Sequence, residues 1–162
     1  MGDHIKHIRF AAVCAAVVLL DQLTKWLVVA YIPLHTRIIV IPGFANLVHV
    51  QNPGGAFGLF ADQGEWVRMI LFIGVAAIAA ALIFYLHCRT PAKHWPLTAG
   101  FGLIFAGAVG NLIDRITHGK VVDFIDLHIG AYHWPAFNIA DSAISIGMVI
   151  FAYYLIVKKL PE

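Results

Sequence analysis

The 162 residues are 60% hydrophobic and 12% charged, with a mean hydropathy of +0.82 and a formal net charge of +2. A soluble domain carries charge on about a quarter of its residues, so this composition excludes one and indicates a single integral membrane domain spanning 1–162. The basic residues lie in small groups rather than in a patch, which argues against nucleic acid as a partner, and Cys14 and Cys88 offer no disulfide framework.

A helix crosses a hydrocarbon core of about 30 Å with about 20 mostly apolar residues. The first such stretch runs from Ile8 to Tyr31. Lys6 and Arg9 precede it as in a secretory signal, but the run continues past Asp21 and Lys25 with no evident cleavage site, so it is expected to persist as the first span. Ala11-Ala12-Val13-Cys14 lacks the leucine-like residue three before the cysteine that a lipid-attachment box carries. Asp21 and Lys25 are four apart with the acid first, the better order for a helical ion pair. Charges within a membrane are costly, so these two either pair with each other or face inward to support a site.

Residues 32–65 form an outer-side segment. Arg37 to Ile41, the Pro42-Gly43 turn and Leu47 to Val50 have the β-branched content of a short hairpin. Asn52-Pro53-Gly54-Gly55-Ala56-Phe57-Gly58 follows, either as a connecting turn or as a loop whose Asn52 binds an extended substrate while glycine permits close backbone approach. The second span is expected over 66–86, and His87 to Trp95 reads as a hydrophilic turn without a function of its own.

The third span, 96–113, carries Gly102, Ala106 and Gly110 on one face, where small side chains let another helix approach. At its end Asn111 and Arg115 share a face and can donate hydrogen bonds to carboxylates or backbone, while Asp114 points elsewhere and reads as a structural ion-pair partner. Residues 114–138 form the second outer-side segment, with Lys120 to Ile129 extended, and the fourth span covers 139–157. The fold class is therefore a membrane all-α bundle of four transmembrane helices with small extended or β outer-side segments. Lys6, Arg9, Arg89, Lys93, Lys158 and Lys159 all fall at one end of such a bundle, so both termini are expected to be cytoplasmic.

Two aspartates near the opposite end stand out. On the fourth span Asn138, Asp141 and Ser145 line one face of its beginning, where Asp141 is either a plain cap favoured by the macrodipole or a functional acid. If 120–129 is a strand, Asp123 lies on the face of Val121 and Ile125 and Asp126 on the other. An acid on an apolar face is the costlier placement, which favours Asp123 over Asp126 as the partner of Asp141. Two carboxylates sharing a low-dielectric site tend to hold one proton between them, giving a base to activate water and an acid to protonate a carbonyl or leaving amine. That is peptide hydrolysis without metal or nucleophile. There is no His-Glu-x-x-His helix and no Gly-x-Ser-x-Gly elbow, and His118, His128 and His133 lack the spacing of a zinc site, so no metal and no cofactor are expected.

Five blocks then resemble the lipoprotein signal peptidases, signal peptidase II, of bacteria: Asp21-Gln22-x-x-Lys25, Asn52-x-Gly54-x-Ala56-Phe57, Gly107-Ala108-x-Gly110-Asn111-x-x-Asp114-Arg115, Val122-Asp123-Phe124, and Phe137-Asn138-x-Ala140-Asp141. The resemblance covers nearly the whole chain, with Gly55 where alanine and Ala106 where glycine would be expected. It implies an aspartyl endopeptidase of the bacterial inner membrane, active near the outer face, that cuts before a cysteine already bearing diacylglycerol. It implies Asp123 and Asp141 as the catalytic dyad, with Asp21, Lys25, Asn52, Gly54, Gly107, Asn111, Arg115 and Asn138 as supporting or substrate-binding residues. A lipid-modified prolipoprotein as substrate, membrane lipids as surroundings, block by the cyclic peptide globomycin, and a monomer complete the expectation. The competing readings are an ion-coupled transporter, with Asp21, Lys25 and Asp141 as a proton path, and a scaffold whose acids only cap or pair.

Overall fold

The computed structural model describes residues 2–54 and 64–158. The loop positions Gly55, Ala56, Phe57 and Gly58, and Lys159 among the basic residues, lie outside the described residues. Among the described residues four helices are long and apolar enough to cross a membrane: α1 (Gly2–Tyr31), α2 (Glu65–Arg89), α3 (Trp95–His118) and α4 (Ile139–Tyr153), which continues as a π-helical turn, Tyr154–Lys158. The helices overrun several of the apolar stretches; α1 begins before Ile8 and α3 continues past Ile113. Polar residues at the membrane surface keep a helix going although they end the hydropathy signal.

α3 is the central helix. Buried residues make up 61% of its apolar stretch, against 11% in α2 and 17% in α1 and α4. Small residues explain how it is surrounded. A Cβ added to Gly102 would lie 3.1 Å from Val13 of α1, and one added to Gly110 would lie 2.7 Å from the Asp21 carboxylate. Gly107 faces the Ala140 carbonyl and Ile144 of α4. One glycine-and-alanine helix therefore receives α1 on one face and α4 on another.

Between the spans lies an antiparallel sheet in the order β1 (Arg37–Ile41), β2 (Ala45–Asn52), β3 (Val121–Ile129), β4 (Tyr132–His133). Gly43, with φ 77, makes the turn between the first two strands. The β2–β3 pairing shifts between Leu47 and Val50, with Asn46 opposite Asp126 and Val50 opposite Asp123. Two apolar clusters bracket the bundle: Phe10, Ile83, Leu97, Phe101 and Ile104 near one end, and Val28, Ile32, Val122 and Phe124 near the other. The second seats β3 against α1.

The turn between α2 and α3 differs from its expectation. His87 is fully buried, and Lys6, one of the basic residues at this end of the bundle, is buried as well. The Lys6 ammonium donates to the carbonyls of Cys88 at 3.2 Å and Thr90 at 3.1 Å, closing the last turn of α2. Carbonyls at a helix C-terminus lack intrahelical donors, and a cation there also complements the macrodipole.

Candidate active site

Asn138 caps α4. Its side-chain Oδ1 accepts from the Asp141 N–H at 2.9 Å, and its own N–H donates to Asp141 Oδ2 at 3.2 Å, a reciprocal capping box. The plain capping role of Asp141 is thus real, yet it uses one carboxylate oxygen and leaves the other for Asn111, whose Nδ2 donates to Oδ1 at 2.8 Å. Asn138 also reaches the strand: its Nδ2 donates to Asp123 Oδ1 at 2.8 Å. From the other side, Asn52 at the end of β2 donates to Asp123 Oδ2 at 3.1 Å. Asp123 and Asp141 are therefore joined through Asn138.

The two acids have different surroundings. Asp123 is 3% exposed on β3, whereas Asp141 is half-buried and borders a cavity of about 360 Å³ with Trp134, Phe137 and Ser145. Burial pushes the Asp123 carboxyl up from 3.8 to about 6; the Asp141 charge adds to this, and the hydrogen bonds from Asn52 and Asn138 oppose it. Asp141 sits in the first turn of α4, where the macrodipole favours a negative charge.

Beneath the acids is a closed polar layer. Lys25 lies 2.8 Å from Asp21 and 3.0 Å from Asp114, and donates to Asn111 Oδ1 at 3.0 Å. Asp21 and Lys25 pair with each other, and each also reaches α3 or α4. Asp21 Oδ1 accepts the Ala140 N–H at 2.9 Å, fixing the first turn of α4, while Asp114 Oδ2 accepts the Val122 N–H at 3.1 Å, fixing β3 next to Asp123. Because Asn111 Oδ1 faces an ammonium, its Nδ2 must face Asp141. Gln22 bridges Asp21 at 3.1 Å and Asp114 at 3.0 Å. The only signal for Gln22 in the sequence is an amide in the middle of an apolar span. Lys25 is engaged by Asp21, Asp114 and Asn111 together, which disfavours a proton path through it.

The remaining candidates divide. Asp126 is bound elsewhere, to Asn46 at 2.7 Å and His133 at 2.7 Å, as strand parity requires. Burial acts to raise its pKa, but the hydrogen bonds from His133 and Asn46 hold it below the usual range. Arg115 makes no hydrogen bond to a carboxylate among the described residues; it donates to the Asn111 carbonyl at 3.2 Å and lies over the Phe72 ring at 5.7 Å. With Asn111 it ends an apolar groove of about 410 Å³ formed by α2, α3 and α4. Gly107 is a packing residue at the α3–α4 contact, and Gly54, at φ 91, donates its N–H to Asn52 Oδ1 at 2.9 Å. Ser145 donates to the Asp141 carbonyl within its own helix. No group of three or more metal-ligating side chains converges among the described residues.

Residues 13–157 match the family model described as signal peptidase (SPase) II. The chain is 53% identical over 155 residues to a lipoprotein signal peptidase of Desulforapulum autotrophicum, covering 96% of each, and 43% identical over 152 residues to one of Syntrophus aciditrophicus, covering 94% of each. A solved structure described as a bacterial membrane enzyme is similar with a TM-score of 0.81 at 31% identity, covering 94% of this chain and 92% of the other.

Proposed function

This chain belongs to the signal peptidase II family of aspartic-type peptidases, and we propose that Asp123 and Asp141 are its catalytic pair. It is a lipoprotein signal peptidase of the bacterial inner membrane, removing signal peptides from prolipoproteins. The observation that carries the assignment of the pair is the double engagement of Asn138, which donates to Asp123 and caps with Asp141.

The reaction starts from the form in which the pair holds one proton, with Asp123, whose carboxyl burial pushes up to about 6, as the acid and Asp141 as the base. The scissile carbonyl accepts a hydrogen bond from Asp123 while Asp141 removes a proton from the attacking water. The carbonyl oxygen takes the Asp123 proton as the C–O bond forms, giving a neutral tetrahedral diol. Asp141 then delivers its proton to the leaving nitrogen as the C–N bond breaks, and Asp123 recovers a proton from the diol hydroxyl. Both acids return to their starting states. Asn52, Asn111 and Asn138 keep the carboxylates oriented, Lys25, Asp21 and Asp114 hold those amides, and Gly54 admits the substrate backbone.

The substrate in this reading is a precursor whose cysteine already carries diacylglycerol, cut just before that cysteine. The apolar groove ending at Asn111 and Arg115 offers a route from the bilayer to the acids. Basic residues at the Lys6, Arg9, Arg89 and Lys93 end support cytoplasmic termini and a site near the outer face. The enzyme acts as a monomeric, single-domain unit surrounded by membrane lipid, and globomycin blocks it by occupying the dyad. Incubation of the purified protein with a diacylglyceryl-modified precursor, its unlipidated counterpart, and the lipidated form plus globomycin tests this. Only the first should be cut; equal cleavage of the unlipidated precursor would refute the substrate assignment.

A further inference from the structure

At the end of the bundle away from the acids, a groove opens between α1 and α3. They touch where Gly102 meets Val13, and Cys14 Sγ donates to the Gly102 carbonyl at 3.6 Å. From Gly102 back to Trp95 is seven residues, about 10 Å of helix. Along that length Ala12, Val13 and Ala99 are too short to fill the gap, leaving a groove of about 490 Å³ with Arg9 and Trp95 as its remaining lining. Arg9 is exposed and, unlike Lys6, has no carboxylate within ion-pair distance among the described residues. Trp95 is 58% exposed at the start of α3, at the level where tryptophan lies between headgroups and hydrocarbon.

We propose that this groove is a binding site for an anionic phospholipid of the leaflet at that end, with the phosphate on Arg9 and an acyl chain along Ala12, Val13 and Ala99. The occupant follows from the lining. An apolar slot between membrane spans takes a hydrocarbon chain, and an unpaired guanidinium at the same slot takes a phosphate, which it can engage with two parallel N–H donors. A phospholipid carries both on one molecule at this depth. A net negative headgroup is preferred because a zwitterionic one brings its own cation to its phosphate. The Trp95 indole N–H supplies a further donor at the headgroup level.

The full-length protein, reconstituted in phosphatidylcholine bilayers, is titrated with phosphatidylglycerol brominated on its acyl chains, and in parallel with equally brominated phosphatidylcholine. The Trp95 contribution is the difference between wild type and Trp95→Phe. Half-quenching of that component is expected at about a five-fold lower mole fraction of phosphatidylglycerol, the preference one basic residue confers at an anionic surface. Arg9→Gln should bring the two curves together. Ala99→Leu, which fills the slot but keeps Arg9 and Trp95, should also remove the preference. Coincident curves in the wild type, or a preference that survives either substitution, would overturn the site and leave ordinary lipid contact or another copy of the chain as the occupant.

Discussion

Asn138 donates its side-chain amide to Asp123 Oδ1 at 2.8 Å, tying the cap of α4 to the middle of β3. The two elements belong to different kinds of structure, and neither holds its acid alone. The consequences can be measured.

Asp123→Asn and Asp141→Asn should each reduce cleavage of a lipidated precursor by on the order of 10³-fold, the range for loss of a general acid or base. Asp126→Asn should retain most of the activity, because Asp126 is engaged by Asn46 and His133. A peptidase assay on the three purified variants, with thermal unfolding as the fold control, decides it. An inactive Asp126 variant beside an active Asp123 variant would reverse the choice of strand face.

Asn138→Ser separates capping from bridging. Serine is about as good an N-cap as asparagine, but its hydroxyl is too short to take over the amide's contacts with both Asp123 and Asn111. Turnover should fall at least tenfold, a loss of about 1.4 kcal/mol of transition-state stabilisation, while the start of α4 remains helical by amide exchange. Unchanged turnover would show that the bridge is not needed for catalysis.

Lys25→Met should destabilise the protein by about 3 to 5 kcal/mol, because Asp21 and Asp114 would remain buried without their cation. Adding Asp114→Asn to Lys25→Met should recover part of the loss. Thermal unfolding in one detergent reads both effects.

The raised Asp123 pKa fixes a sign. The folded protein holds this proton more tightly than the unfolded chain, so the associated stability is fully present below 3.8 and is lost as pH rises to about 6. Comparing wild type with Asp123→Ala isolates the group. The wild type should lose on the order of 3 kcal/mol relative to the variant between pH 4 and pH 7. In the same window kcat/KM of the wild type should decline above about pH 6 as the general acid deprotonates. A flat stability difference would show that Asp123 titrates normally.

Much of the fold was legible because it is governed by local chemistry. Long apolar runs specify spans, the Pro42-Gly43 turn between β-branched runs specifies a hairpin, and glycine and alanine along α3 mark a helix made to be surrounded. Strand parity separated Asp123 from Asp126, since a period of two leaves no choice of face. The sequence thus picked out which polar side chains must be explained, each of them being costly in an apolar chain.

Who meets whom was decided by tertiary structure alone. Lys25 reaches Asn111 across 86 positions, Asp21 reaches the Ala140 N–H across 119, and Lys6 is drawn into the α2 terminus across 82 and 84. Arg115, whose spacing suited either carboxylate or backbone acceptors, took the backbone. Periodicity assigns a side chain to a face, but partners across the bundle depend on which faces the small residues of α3 let come close, and on how far each helix slides along it. Those are properties of packing, so the chain's own order determined the elements and the polar residues, while the packed bundle determined the network that joins them.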